Sequence, residues 1–269
     1  MNIFHALLLG IIQGLTEFIP VSSTAHLLIG QRLLGLPSSD LMFAFLVIIQ
    51  LGTILSLIVF FWKDLLTLVR AFFAKPFSTP ENNLAWNIVI ATIPAAIIGF
   101  ILRHAVEELF AQPLLEASIR LFSAAILLAI AERLGKRARA LDSLNWLDAL
   151  IIGCFQVIAV FPGASRSGTT IAGGMLRGFD RVSAARFGFM MSIPIMLGAG
   201  GYQVNDVIGL PGLSSFEPAI LVGFITAAIV GWFAVRWLLN YLGSRSLYAF
   251  AIYCAALGAI TLIVHFAAA

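Results

Sequence analysis

Hydrophobic positions in this chain come as long runs separated by short charged stretches, at about 3–19, 21–35, 41–62, 84–102, 117–131, 144–161, 164–179, 187–204, 218–238 and 246–266. A membrane-spanning helix needs about 20 apolar residues, so these runs predict membrane helices. Four of the runs are short or broken. The run 3–19 stops at Pro20 in FIPVSSTAH, the run 144–161 stops at Pro162 and Gly163 in FPGASRSGTT, and each leads into another short run instead of a charged loop. Proline cannot continue a helical hydrogen-bond ladder and glycine weakens it. Broken, hydroxyl-rich backbone at membrane depth is tolerated only where it is buried in protein or lines a wet cavity. The pattern therefore predicts an all-α polytopic membrane protein with six transmembrane helices and two re-entrant helical hairpins, 3–35 and 144–179, each entering and leaving on one side.

The basic residues orient this layout. With the loop carrying Lys63, Arg70 and Lys75 in the cytoplasm, Arg133, Lys136, Arg137 and Arg139 also fall inside, followed by Arg177, Arg181, Arg186, Arg236 and Arg245. Twelve of the 16 Lys and Arg then share one side, as the positive-inside rule requires, and both termini are extracytoplasmic. Arg32, Arg103 and Arg120 fall outside, and Arg166 stays within an apolar segment.

The chain also repeats itself. ALLLGIIQGLTEFIPVSST from Ala6 matches ALIIGCFQVIAVFPGASRS from Ala149, with Gly10/Gly153, Gln13/Gln156 and Phe18/Phe161 each 143 positions apart. Pro20 pairs with Pro162 after a one-residue slip, and further on Ala95-Ala96-Ile97-Ile98-Gly99 echoes Ala227-Ala228-Ile229-Val230-Gly231. Three full spans separate corresponding points, and an odd number turns the second copy over. The expectation is one membrane domain of two inverted repeats, 1–140 and 141–269, with its site near the bilayer midplane where interrupted helices meet.

Composition narrows the function. Apolar residues make up 61% of the chain against about 45–50% in a soluble domain, and charged residues only 11%. This excludes a disordered chain, a basic nucleic-acid-binding domain and a disulfide-stapled module. Cys154 and Cys254 lie in apolar runs and read as small core side chains.

Polar groups in such a chain are costly, so they point to function unless paired structurally. The first hairpin carries Gln13, Glu17, Ser22, Ser23, Thr24 and His26; the second carries Gln156, Ser165, Arg166, Ser167, Thr169 and Thr170. Gln13 and Glu17 are four apart and share a helix face just before Pro20. Arg166 offers a permanently charged planar fork for phosphate or carboxylate, and the turn around it opens a helix whose N-terminus favours an anion. A carboxylate, a histidine and serines facing that cradle make a candidate hydrolytic centre. The plainer reading is a buried Glu17–Arg166 pair that only joins the hairpins.

GLTEFIPVSSTAH together with PGASRSGTT resembles the undecaprenyl-pyrophosphate phosphatases, the bacitracin-resistance type of membrane phosphatase. The family's Glu-or-Gln, three residues, Glu element is met by Gln13 and Glu17, its SST-x-H element by Ser22, Ser23, Thr24 and His26, and its PGxSRS element by Pro162 to Ser167 with Thr170 following. Gln13 departs from the many members that carry a second carboxylate there. The resemblance implies hydrolysis of a C55 isoprenyl diphosphate to the monophosphate and inorganic phosphate, at a site open to the extracytoplasmic face of a bacterial plasma membrane. It implies a divalent cation, Mg²⁺ before Ca²⁺, held by Glu17 and Gln13. Gly163, Ser165, Arg166 and Ser167 would hold the diphosphate with Ser22, Thr24 and Thr170 as supporting donors. Ser23 would be the nucleophile and His26 a proton shuttle, with His26 itself or an activated water as alternatives for the attack. The implied partners are the polyprenyl diphosphate and membrane lipids, with no nucleic acid and a homodimer left open. Two other readings compete: a secondary transporter or lipid flippase built on the same inverted plan, and a membrane protein in which Glu17 and Arg166 only fix helix packing.

Overall fold

The computed structural model describes residues 1–75, 78–107, 113–159, 165–207 and 209–267. Among them it is helical, with no named strand and one isolated bridge between Arg139 and Phe179. The helices are α1 (Ile3–Phe18), α2 (Ser23–Leu33), α3 (Asp40–Phe60), α4 (Trp62–Phe72), α5 (Pro80–Glu107), α6 (Pro113–Leu134), α7 (Trp146–Ile158), α8 (Arg166–Leu176), α9 (Arg181–Val207), α10 (Glu217–Leu242) and α11 (Tyr248–Ala267). Six of them, α3, α5, α6, α9, α10 and α11, are long and apolar enough to cross a bilayer. Their outward faces carry large apolar side chains such as Phe100, Ile126, Phe233, Ile252 and Phe266, a surface suited to lipid rather than water.

The short helices fall where the sequence places its broken runs. At about 1.5 Å per residue, α1 extends about 24 Å and α7 about 20 Å, short of the roughly 30 Å hydrocarbon core. Local chemistry sets their limits. The Asn2 side chain accepts the His5 amide at 2.8 Å to open α1, and Asn145 and Asp148 form a reciprocal capping box that opens α7. Both α2 and α8 end on a left-handed glycine, Gly35 (φ +64°) and Gly178 (φ +89°), where an L side chain would be strained. Beyond them the Leu36 amide bonds to the Gln31 carbonyl at 2.9 Å, and the Phe179 amide to the Gly174 carbonyl at 3.1 Å.

Helix α4 is not among the predicted elements. The hydrophobic run ends at Trp62 and charges follow, which reads as a loop; the residues instead form an amphipathic helix that packs on α5, buries Leu68 and leaves Trp62, Leu66 and Val69 exposed. Its polar positions are one-sided, which is how a helix lies along a membrane surface.

Packing is closest where side chains are missing. A Cβ on Gly10 of α1 would stand 2.7 Å from the Gly223 carbonyl oxygen of α10, and one on Gly153 of α7 would stand 2.9 Å from the Ala91 Cα of α5. The seams α1–α10 and α5–α7 are therefore backbone-to-backbone contacts, the kind small residues permit in membrane helices.

One end of the bundle is tied by carboxylates shared between arginines. Asp148, fully buried, accepts from Arg139 at 2.6 and 3.1 Å and from Arg177 Nε at 2.8 Å. Glu132, also buried, accepts from Arg137, from Arg181 Nε at 3.0 Å and from the Leu247 amide at 3.0 Å. Hydrogen bonding to Asp148 pushes the Arg139 pKa further up, so this loop guanidinium stays charged. Asp148→Asn is expected to destabilise the fold by about 2–3 kcal/mol, less than the roughly 3–5 of a fully buried broken pair because both guanidinium groups reach water. Thermal unfolding in detergent checks this, with turnover of the folded fraction unchanged.

Candidate active site

The break after α1 and the start of α8 meet at one place. Helix α2 starts at Ser23 and α8 at Arg166, so both N-termini end at one cavity of about 390 Å³. Ser165 caps α8, its Oγ accepting the Gly168 amide at 3.2 Å. Ser22 occupies the same place before α2 but makes no side-chain cap bond, and its backbone is left-handed (φ +69°) although it carries a Cβ. An uncapped first turn with positive macrodipole end is a seat for an anion.

Glu17 is the hub. Its carboxylate accepts Gln13 Nε2 at 3.0 Å and Ser23 Oγ at 2.7 Å on one oxygen, and the Arg166 guanidinium on the other. Gln13 and Glu17 are buried, the Arg166 side chain is 19% exposed, and all line the cavity together with Ser22, Thr24 and Ser165. The i,i+4 spacing on α1 thus delivers carboxamide and carboxylate to one face, as read from the sequence. The Ser23 hydroxyl thus stands beside a carboxylate positioned to accept its proton.

Other expected site residues stand elsewhere. The ring of His26 is turned to α11: Nδ1 donates to the Ser22 carbonyl at 2.8 Å, so Nε2 is the acceptor for the Tyr253 hydroxyl, also at 2.8 Å, and the two rings stack at 5.7 Å. His26 is not among the residues lining the cavity. Ser167 Oγ contacts Ser165 Oγ at 3.1 Å and the Ile19 carbonyl at 3.5 Å, and Thr170 Oγ1 donates back to the Arg166 carbonyl at 3.0 Å, so these hydroxyls serve the helix tips. Gly163 and Pro162 lie outside the described residues. Gln156, the repeat counterpart of Gln13, is buried and, among the described residues, has no hydrogen-bond partner on either amide atom.

The cavity also holds groups the sequence reading left out. Gln31 of α2, Gln50 of α3, Arg120 of α6 and Gln203 of α9 line it, with Leu27, Leu28, Phe43, Leu46 and Val47 as its apolar wall. One signal was available for Arg120, a charge within an apolar run; the glutamines are single polar positions whose facing depends on how whole helices rotate.

A divalent cation suits this donor set. A carboxylate has about four acceptor positions, of which Glu17 uses three, and Gln13 spends its amide N–H on Glu17 while its Oε1 meets no donor among the described residues. Mg²⁺ is commonly held by one or two carboxylates, with substrate phosphates and waters completing the octahedron. Among the described residues no cluster of three His, Cys, Asp or Glu exists that would hold a metal without such help.

The family model for bacitracin resistance protein BacA matches residues 6–260. The chain belongs to this BacA family. Among its relatives in the family, an undecaprenyl-diphosphatase from Anaeromyxobacter dehalogenans is 43% identical over 266 residues, covering 96% of this chain and 90% of the relative. Undecaprenyl-diphosphatases from Methanobrevibacter smithii and Rubrobacter xylanophilus are each 39% identical, covering 97% of this chain and 96% and 97% of their own. The BacA match covers both helix tips that carry Glu17, Ser23 and Arg166.

Proposed function

We propose that this chain is an integral membrane phosphatase that hydrolyses undecaprenyl diphosphate to the monophosphate and inorganic phosphate, returning the lipid carrier to cell-wall synthesis. The observation that carries the reading is Glu17 receiving both the Ser23 hydroxyl and the Arg166 guanidinium at one cavity. The terminal phosphoryl group sits at the α2 and α8 N-termini, with Arg166 and Ser165 donating to its oxygens. Ser23 Oγ attacks phosphorus as its proton passes to Glu17; the new O–P bond forms while the anhydride P–O bond breaks, and the monophosphate departs with that electron pair. Water then cleaves the phosphoserine, releasing inorganic phosphate and regenerating the hydroxyl. Ser23 is favoured over His26 because both imidazole nitrogens of His26 are engaged away from the cavity. Gln13 and Glu17 would hold Mg²⁺, which supplies neutralisation of phosphate charge. The apolar wall from Leu27 to Val47 receives the first isoprene units from the lipid.

The two-repeat reading draws support from register. Helices α1 and α7 begin 143 positions apart, as do α2 and α8, the caps Ser22 and Ser165, and the terminal glycines Gly35 and Gly178. Past the slip at Pro20 the register thus returns to its original spacing. The seams agree too, since Gly10 meets Gly223 and its counterpart Gly153 meets Ala91, the position corresponding to Gly223 in the second echo. Ser23 and Arg166 therefore occupy matching first positions of two related helices, and α1–α2 and α7–α8 act as hairpins dipping in from opposite leaflets. For sidedness, Arg120 in the cavity and Glu132 in the arginine-rich end lie on one helix, about 18 Å apart at 1.5 Å per residue. With the arginine-rich end inside, the cavity opens extracytoplasmically.

The test is phosphate release from a prenyl diphosphate by the detergent-solubilised protein. Release is expected, and a chelator is expected to abolish it; a transporter makes no free phosphate in one compartment. Gln13→Glu is expected to keep turnover within a fewfold and to lower the Mg²⁺ concentration for half-activity by about tenfold, since a second carboxylate adds charge to a site with one. Titration of activity with Mg²⁺ reads this.

A further inference from the structure

The attacking hydroxyl depends on a turn that is held from the far end of the chain. Ser23 opens α2 directly after Ser22, whose backbone is left-handed (φ +69°) although it carries a Cβ. A residue in that region costs free energy and keeps its conformation only where the surroundings fix it. The Ser22 side chain makes no cap bond, but its carbonyl accepts twice from one residue, from the His26 amide at 3.3 Å and from His26 Nδ1 at 2.8 Å. A carbonyl only accepts, so Nδ1 carries the ring proton. In the neutral imidazole Nε2 is then left to accept, and the Tyr253 hydroxyl donates to it at 2.8 Å. The two rings stack with centroids 5.7 Å apart. Beside Tyr253 on α11, the buried Cys254 Sγ lies 3.9 Å from the Pro20 carbonyl oxygen, two residues before Ser22. Neighbouring residues of α11 thus reach the turn between α1 and α2 at two points.

We propose that Tyr253 is a positioning residue for the reaction at Ser23. Donation from its hydroxyl to Nε2 keeps the His26 proton on Nδ1, which holds the Ser22 carbonyl and with it the turn that sets Ser23 Oγ on Glu17. This rests on the phosphatase reading above. Tyr253 is not among the residues lining the cavity, so it acts through His26. Without the hydroxyl, the imidazole is free to carry its proton on Nε2. Nδ1 then turns a lone pair toward the Ser22 carbonyl oxygen, and the turn loses what keeps it left-handed. The alternative is that Tyr253 only packs α11 against α2.

The test uses the purified full chain in detergent with farnesyl diphosphate as substrate. Tyr253→Phe keeps the ring and its stack and removes only the hydroxyl. Its kcat per folded molecule is expected to fall by about threefold to tenfold, the worth of one hydrogen bond, with KM within about twofold of wild type. Tyr253→Leu removes the ring as well, and its kcat is expected to lie at or below that of Tyr253→Phe. A readout independent of activity is the imidazole ¹⁵N spectrum of histidine-labelled protein carrying His5→Gln, His104→Gln and His265→Gln, which leaves His26 alone. With Tyr253 in place it is expected to show a protonated Nδ1 and an unprotonated Nε2; with Tyr253→Phe the two signals are expected to move toward each other as the tautomers mix. Wild-type kcat in Tyr253→Phe, with or without a loss in Tyr253→Leu, is the packing outcome and overturns the proposal. The same histidine spectrum with and without the hydroxyl also overturns it. Wild-type protein that releases no phosphate in the same assay instead overturns the phosphatase reading.

Discussion

Ser23→Ala is expected to lower kcat by about 10³-fold or more while KM for a prenyl diphosphate stays within a fewfold. The substitution removes the one hydroxyl that donates to Glu17 from the start of α2. Glu17 keeps Gln13 and Arg166 as partners, so no buried charge is stranded and the fold is retained. Loss in kcat alone identifies an interaction made at the chemical step. Steady-state phosphate release measures it. Turnover within tenfold of wild type would hand the attack to a water molecule activated by Glu17.

Arg166→Lys is expected to cut turnover by about 10²–10³-fold, the scale for losing one preorganised donor to developing charge. Lysine keeps the positive charge and can still pair with Glu17. What it lacks is the fork, which lets one guanidinium hold Glu17 and a phosphate oxygen together. Wild-type turnover in this variant would remove Arg166 from the diphosphate. Replacing Glu17 and Arg166 together by leucine and methionine separates architecture from chemistry. A folded, inactive protein by size-exclusion and thermal unfolding is the expected result; loss of folding would make the pair a structural link.

The six long apolar helices were legible because hydropathy reports which residues must avoid water. Glu17 and Arg166 stood out because each is a costly group in an apolar run, and Gln13 followed from helical spacing on the same face. Helix rotation left no such trace. Arg120 sits in an apolar run like Arg166, but charge sidedness alone places it at the outer boundary, because nothing local says that α6 turns this position toward α2 and α8. The glutamines of α2, α3 and α9 were unreadable for the same reason. His26 illustrates the opposite limit. Its place beside the serines suggests a proton shuttle, yet one helical turn after Ser22 the imidazole reaches that residue's own carbonyl, and Tyr253 from the far end of the chain takes the other nitrogen. Helix α4 went unread because an 11-residue amphipathic stretch looks like a charged loop to a search for long runs.

The glycine seams limit what the protein can do mechanically. Where Gly10 and Gly14 rest on the carbonyls of Gly223 and Ala227, with Thr226 Cβ and Val230 Cβ just as near, there is little room for one helix to slide on the other. Rocking one half of the molecule against the other would force main chain into main chain at α1–α10 and again at α5–α7. Close backbone seams of this kind favour a fixed frame between the two halves.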